Sequence, residues 1–206
     1  MLRLHKNRRY RYKASALQRV KGYLEEHLGP IERVIPSFAN GRLPVDIAVI
    51  PPKEGQEYYT LVTLGMGAYR LRTPKGLPNR LELAIRLPGD WELENNRERW
   101  FWPVRWLQVL ARMPMYQYTW FTHGHTMDAN RFLLGEEGFH GFALHSAGTC
   151  PLKLGRKDTL EILCLLPVYE AELEYARAVG TDKLFERLGR EVCRGPVDMQ
   201  RQNTCV

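Results

Sequence analysis

Apolar residues recur at helical spacing from Ser15 onward, at Leu17, Val20, Tyr23, Leu24 and Leu28, and Gly29-Pro30 stops the run. This predicts a first helix whose polar side carries Arg19, Lys21, Glu25 and Glu26. The period then changes. Residues 31–35, 45–50, 58–64 and 81–87 are short runs rich in Val, Ile, Tyr and Leu, punctuated by Asn40-Gly41, Pro51-Pro52, Gly65 and the prolines at 74 and 78. Connections this short, with no helix between them, predict an antiparallel meander. Helical spacing returns at Trp102, Trp106, Val109, Leu110 and Met113, with Pro103 suited to a first turn and Pro114 ending the run. Trp91, Trp100 and Trp120 flank this helix, and indoles grouped beside a sheet are expected in the core.

Residues 118–122, 139–145 and 160–166 predict three more strands. A third helix is expected over 167–180 and a fourth over 181–188, the latter opened by Thr181 and Asp182. The pattern specifies an α+β fold, a largely antiparallel or mixed sheet covered by helices. It divides the chain into a basic arm (1–15), one domain (16–192) and a polar C-terminal tail (193–206) expected to be mobile.

Length and charge sharpen this picture. At 206 residues and 24.0 kDa the chain suits one domain with tails. The net charge of +7 would suggest a nucleic-acid partner, but eight basic residues and no acid fall in the first 24 positions, so the remaining 182 sum to −1. The basic character belongs to the N-terminal segment, where Tyr10, Tyr12 and the arginines offer phosphate neutralisation with base stacking as the alternative function. Cys150, Cys164, Cys193 and Cys205 form no CxxC pair, and Cys164 lies in an apolar run suited to a buried free thiol, which points to a reducing compartment. With no signal-peptide pattern and no long apolar run, a cytoplasmic location without membrane association is expected.

Candidate chemistry is sparse. His123-Gly-His125 would place two imidazoles on one face of a strand, where a metal-dependent hydrolase could use them, but three protein ligands are needed and only Asp128 lies near in sequence. Asp46, in an apolar strand, must find a cation, a backbone amide or a strand end. The same applies to Glu82, which alternation places with Ala84 and Arg86 on one face of a strand, a face that reads as solvated. Gly65-Met66-Gly67 has the glycines of a phosphate loop but no Lys and no following helix, and reads as a turn ending a strand. Cys150 beside His145 could mimic a thiol nucleophile and its base. Nucleophile-elbow, P-loop, dinucleotide-binding and zinc-protease motifs are absent from the sequence, and no cofactor or metal is expected.

One set of ordered motifs is more specific. Residues 45–52 (VDIAVIPP), 58–67 (YYTLVTLGMG), 82–88 (ELAIRLP), Trp102-Pro103, Thr119-Trp120, Gly124-His-Thr126 and 166–170 (LPVYE) resemble the suppressor of fused domain family, in order, over about residues 16–190. The resemblance implies a non-enzymatic protein-interaction domain that holds a partner's segment as an added strand, a mode in which backbone pairing at a sheet edge supplies affinity. The family's animal member joins a second domain to this one and clamps its peptide between them. A chain of this length holds only the first unit, and the short members, mainly bacterial, imply an immunity-type protein that neutralises a cognate toxin. By the resemblance, partner contacts fall on Gly65, Met66, Tyr69 and Arg70, while Asp46, His123 and His125 belong to recurrent family motifs. Oligomeric state is left open.

Overall fold

The computed structural model describes residues 9–38, 41–129 and 138–206. Helix α1 (Ala14–Leu28) forms where the apolar spacing places it, burying Val20, Tyr23, Leu24 and Leu28. Strands β1 (Arg33–Ile35), β2 (Asp46–Ile50), β3 (Tyr58–Leu64) and β4 (Arg80–Pro88) follow as an antiparallel meander. After α2 (Glu98–Gln117) come β5 (Thr126–Asp128), β6 (Phe139–Ser146), β7 (Leu152–Gly155) and β8 (Asp158–Tyr169), then α3 (Glu170–Val179) and α4 (Thr181–Arg194). The strands join one sheet in the order β1-β2-β3-β4-β8-β6-β5, with β7 paired to the start of β8. The β4–β8 pair is parallel, from Arg80↔Leu160 to Ala84↔Cys164, and every other pairing is antiparallel.

Side-chain alternation explains the layers. Val62, Ala84, Leu160, Ile162 and Cys164 face α1, and further along β8 Leu166 and Val168 meet α3 and α4, so these three helices share one face of the sheet. Ile47, Leu61, Leu83, Ile85, Leu163 and Leu165 point the other way onto α2. There Trp102 and Trp106 meet Phe142, and Trp91 packs edge-on against Trp102, so the indoles do form core. The buried Cys164 is a free thiol, as are the other three cysteines.

Four sequence-based expectations change. Helix α2 begins at Glu98, so Pro103 sits inside it, as does Pro114; the helix tolerates both because each proline removes only one backbone hydrogen bond and both side chains are buried. Residues 118–122 are not a strand. Tyr118 closes α2 in the left-handed region (φ 54°, ψ 36°), and the aromatic side chains that mimic a strand pattern pack inward, Phe121 fully and Trp120 in part. Residues 167–169 extend β8 rather than opening α3, and β7 escapes the pattern because its four residues alternate between half-buried and exposed.

The C-terminal tail is docked, not loose. Past Ala84↔Cys164 the parallel strands part, and the tail bridges the fork: Val197 N–H donates to Arg86 O of β4 (2.9 Å), and Arg201 Nη2 donates to Pro167 O of β8 (2.9 Å). Arg201 also grips the fully buried Glu172 through two bonds of 2.6 and 2.7 Å and lies over the Phe139 and Tyr169 rings. Burial would push the Glu172 carboxyl up, but Arg201 and the backbone N–H groups of Thr204 and Tyr169 hold it below the usual carboxylate range.

Candidate functional site

At the end of β3 the chain must turn tightly beside β2. Gly65 adopts φ 144°, and a Cβ there would lie 2.6 Å from Pro44 O, so the turn requires glycine. A short 3-10 turn (Met66–Ala68) follows, aiming three successive N–H groups inward. They converge on Glu82 of β4: Gly65 N–H and Gly67 N–H donate to Oε1 (both 3.1 Å) and Met66 N–H to Oε2 (3.2 Å). Thr63 Oγ1 (2.5 Å) and Tyr12 Oη (2.7 Å) complete five donors around one carboxylate. The glycine-rich turn is thus an anion nest whose anion is supplied by the protein itself.

Glu82 is 0 % exposed, which overturns its reading as part of a solvated face. Burial pushes its carboxyl up to about 7 against the opposing pull of hydrogen bonds from Thr63, Tyr12, Gly65 and Gly67. The hydroxyl of Tyr12 is likewise pushed well above its ordinary value, first by burial and then by the Glu82 charge. Gly67 is needed for this contact, since a Cβ there would fall 2.1 Å from Tyr12 Oη. The outer side of the turn is tied to β4 and β8: Arg80 donates to Gly67 O (2.6 Å) and pairs with Asp158 (3.1 Å).

The candidate partner-binding residues divide into two groups. Gly65 and Met66 are buried and build the turn, while Tyr69 and Arg70 emerge from it. Tyr69 meets Tyr10 edge-on (5.0 Å), and the exposed Arg70 pairs with Asp158 (Nε–Oδ1 3.2 Å). Asp46, opposite Leu64 at the start of β2, accepts the Ser37 N–H (2.9 Å), the backbone amide its sequence context calls for.

His123 and His125 lie elsewhere and do not share a face. They occupy a turn closed by His125 N–H to Thr122 O (3.2 Å), in which Gly124 has φ 83°, and this separates the rings. The His123 ring packs against His145 (5.0 Å) and Phe185 of α4 (5.1 Å), with its Nδ1 accepting the Ser146 N–H (3.0 Å). His125 instead approaches Trp120. Among the described residues no group of three or more His, Cys, Asp or Glu is placed to hold a metal. His145, whose pKa burial lowers, is bonded to Ser146 O (2.7 Å), and the exposed Cys150 carries a backbone carbonyl bond from Tyr23 (2.6 Å).

The nucleic-acid alternative loses its aromatic platform in the same way. Tyr12 is spent on Glu82, and Tyr10 lies between Tyr69 and Arg42, whose guanidinium sits 5.7 Å from its ring centre. The stretch 1–8 of the arm falls outside the described residues.

With this geometry in view, a sequence profile of the family described as "Suppressor of fused protein (SUFU)" matches residues 41–202. The chain belongs to the suppressor of fused family. Solved structures share the SUFU fold. A structure titled as a SUFU homolog from Neisseria gonorrhoeae FA 1090 aligns at TM-score 0.67 and 16 % identity, over 93 % of this chain and 98 % of its own. The structure titled "the Sufu-Fu complex crystal structure" aligns at 0.66 and 15 %, over 92 % of each chain. Drosophila Suppressor of Fused aligns at 0.60 and 15 %, over 80 % of this chain and 44 % of its own, so the present chain spans under half of that protein. A sequence search among curated proteins finds no match. No described helix is long and apolar enough to cross a membrane.

Glu82 and its turn lie within the stretch matched to the SUFU family, whereas Tyr12 lies before it. Sequence reasoning missed the pairing of Glu82 with Tyr12. The signal present was a carboxylate set between apolar neighbours, the situation that calls for donors at Asp46, but nothing local names a tyrosine seventy positions away as one of them.

Proposed function

We propose that this chain is a non-enzymatic protein-interaction module whose partner engages the surface beginning at Tyr69 and Arg70. The observation that carries this reading is the Gly65–Gly67 turn: Glu82 locks it from within by three hydrogen bonds from its N–H groups, with Thr63 and Tyr12 completing the ring of five donors, so the residues that follow are presented from a rigid base. Membership of the suppressor of fused family and the fold shared with a structure titled as a Sufu–Fu complex support it. Strand addition is the mode proposed. The turn lies at the end of the sheet where β1 finishes, and β1 is a short outer strand in the sheet order. Neutralisation of a toxin in the cytoplasm is the finer form of the same proposal.

A photo-crosslinking amino acid placed at Tyr69, in the whole chain expressed in its native host, should trap one protein in a discrete adduct. The same probe at Glu25, exposed on α1, should trap none. Equal labelling from both positions, or no protein adduct from Tyr69, defeats the proposal.

A further inference from the structure

Four stretches meet around Tyr69, and none of them contains a carboxylate: residues 9–13, 41–45, 65–81 and 111–122 hold seven arginines, two lysines and no Asp or Glu. Contacts bring the four together. Tyr10 N–H donates to Arg42 O (2.7 Å), and Tyr10 meets Tyr69. Arg112 Nε donates to Leu43 O (3.1 Å), and Tyr116 Oη lies 3.5 Å from the position a Cβ on Gly41 would take. Burial raises the Tyr69 hydroxyl pKa first, and Tyr10, Arg72, Tyr118 and Arg42 all lie within electrostatic reach of it. Among the described residues, the carboxylates that reach these stretches are engaged: Asp158 with Arg70 and Arg80, Asp46 with Ser37 N–H, Glu82 inside its cradle, and Asp128, across a cleft from Tyr116, with Arg177 and His140.

The same surface displays large aromatic rings. Tyr118 is 78 % exposed and Tyr116 56 %, both at the end of α2. Tyr118 is also the non-glycine residue with positive φ among those described, an uncommon backbone state for a bulky side chain. Exposed tyrosine mixed with arginine, and little lysine, is the composition of protein-interface hot spots. Tyr10 and Tyr12 are committed to intramolecular contacts, so Tyr116 and Tyr118 are the rings on which a nucleic acid would have to stack, and competition by a single strand tests that occupant.

We infer that the surface formed by Tyr10, Arg42, Tyr69, Arg72, Tyr116 and Tyr118 receives an acidic, extended segment of a partner protein. The inference rests on the proposed interaction role and specifies the partner's chemistry. Carboxylates spaced along an extended chain answer the arginines, and apolar residues between them cover the tyrosine rings.

The test is a selection from a random twelve-residue peptide library on the immobilised whole chain at physiological salt. It is followed by affinity measurement on Arg72→Glu and Tyr118→Gly. Arg72 is exposed, and glycine suits the left-handed backbone at 118, so both variants should keep the wild-type melting temperature. Enriched peptides should be acidic, should weaken at least tenfold when their carboxylates become amides, and should weaken at least fivefold on each variant. Enrichment of peptides without acidic bias that still depend on Tyr118 overturns the acidic-partner inference while leaving the interaction role standing. Failure to enrich any peptide overturns both. A twelve-nucleotide single strand that competes at equal or lower concentration than the best peptide overturns the protein assignment in favour of nucleic acid.

Discussion

Glu82 carries two opposed demands. Five donors point at its oxygens, an arrangement that fits an acceptor-only carboxylate, yet complete removal from water pushes its pKa up to about 7. Because this value lies above the 4.5 of an ordinary glutamate, the native chain holds one more proton than the unfolded chain between pH 4.5 and about 7. The associated stability, on the order of 3 kcal/mol, is fully present below 4.5 and is lost as pH rises through 7. Urea unfolding across pH 4 to 8 should therefore show a downward slope over that window, and Glu82→Gln should flatten it. An unchanged slope in the variant would mean that another group titrates there. The requirement for a partner was legible at both Asp46, which finds its backbone amide, and Glu82, but alternation with Ala84 and Arg86 also allowed a solvated face for Glu82, and nothing local named its donors. What buries Glu82 is a turn seventeen positions earlier and a tyrosine from the arm, both remote in sequence.

Elements whose signal is local were legible in the sequence. Helix α1 needs only its own apolar stripe, and β3 and β6 carry runs of β-formers bounded by turns. Elements whose identity depends on a distant partner were not. Residues 118–122 have the composition of a strand but pack as an irregular segment, and the tail after Gly195 has the polar composition of a mobile end yet is fixed by Arg201 on Glu172 and by the Val197 bond to β4. Glu172 lies on α3, twenty-nine positions before Arg201, and reads as a solvated helix residue until that guanidinium covers it. Arg201→Ala leaves a buried carboxylate without its cation and should cost about 3–5 kcal/mol, measured by chemical denaturation. The double replacement Glu172→Leu with Arg201→Met should recover most of that loss; a double-variant loss equal to the sum of the Glu172→Leu and Arg201→Met losses would show that the pair is not coupled.

Over the whole molecule, the arm cannot be separated from the domain by charge alone. Tyr12 belongs to the interior, so deleting residues 1–13 removes a donor to a buried carboxylate together with the basic residues. Tyr12→Phe, which keeps the ring and removes only the hydroxyl, should destabilise the chain by about 1–3 kcal/mol by thermal or urea unfolding. The deletion should cost at least as much. A deletion without any effect on stability would mean that Tyr12 does not support the fold. Binding lost on such a deletion would report on the Tyr69 turn as much as on phosphate attraction, and the two must be separated with the single hydroxyl variant.

The bridged fork between β4 and β8 also bears on how the chain is made. Synthesis proceeds from the N-terminus, and the two central strands pair residues 80–84 with 160–164, so the sheet is two unjoined parts until β8 emerges. Even then Glu172 is complete before Arg201 exists. A chain cut just before Arg201 would carry every described strand and helix and still lack the group that neutralises a carboxylate already buried. Removing the Arg201 stretch would therefore open the fork and expose apolar strand surface, a partly opened state of the kind that cellular chaperones and proteases triage.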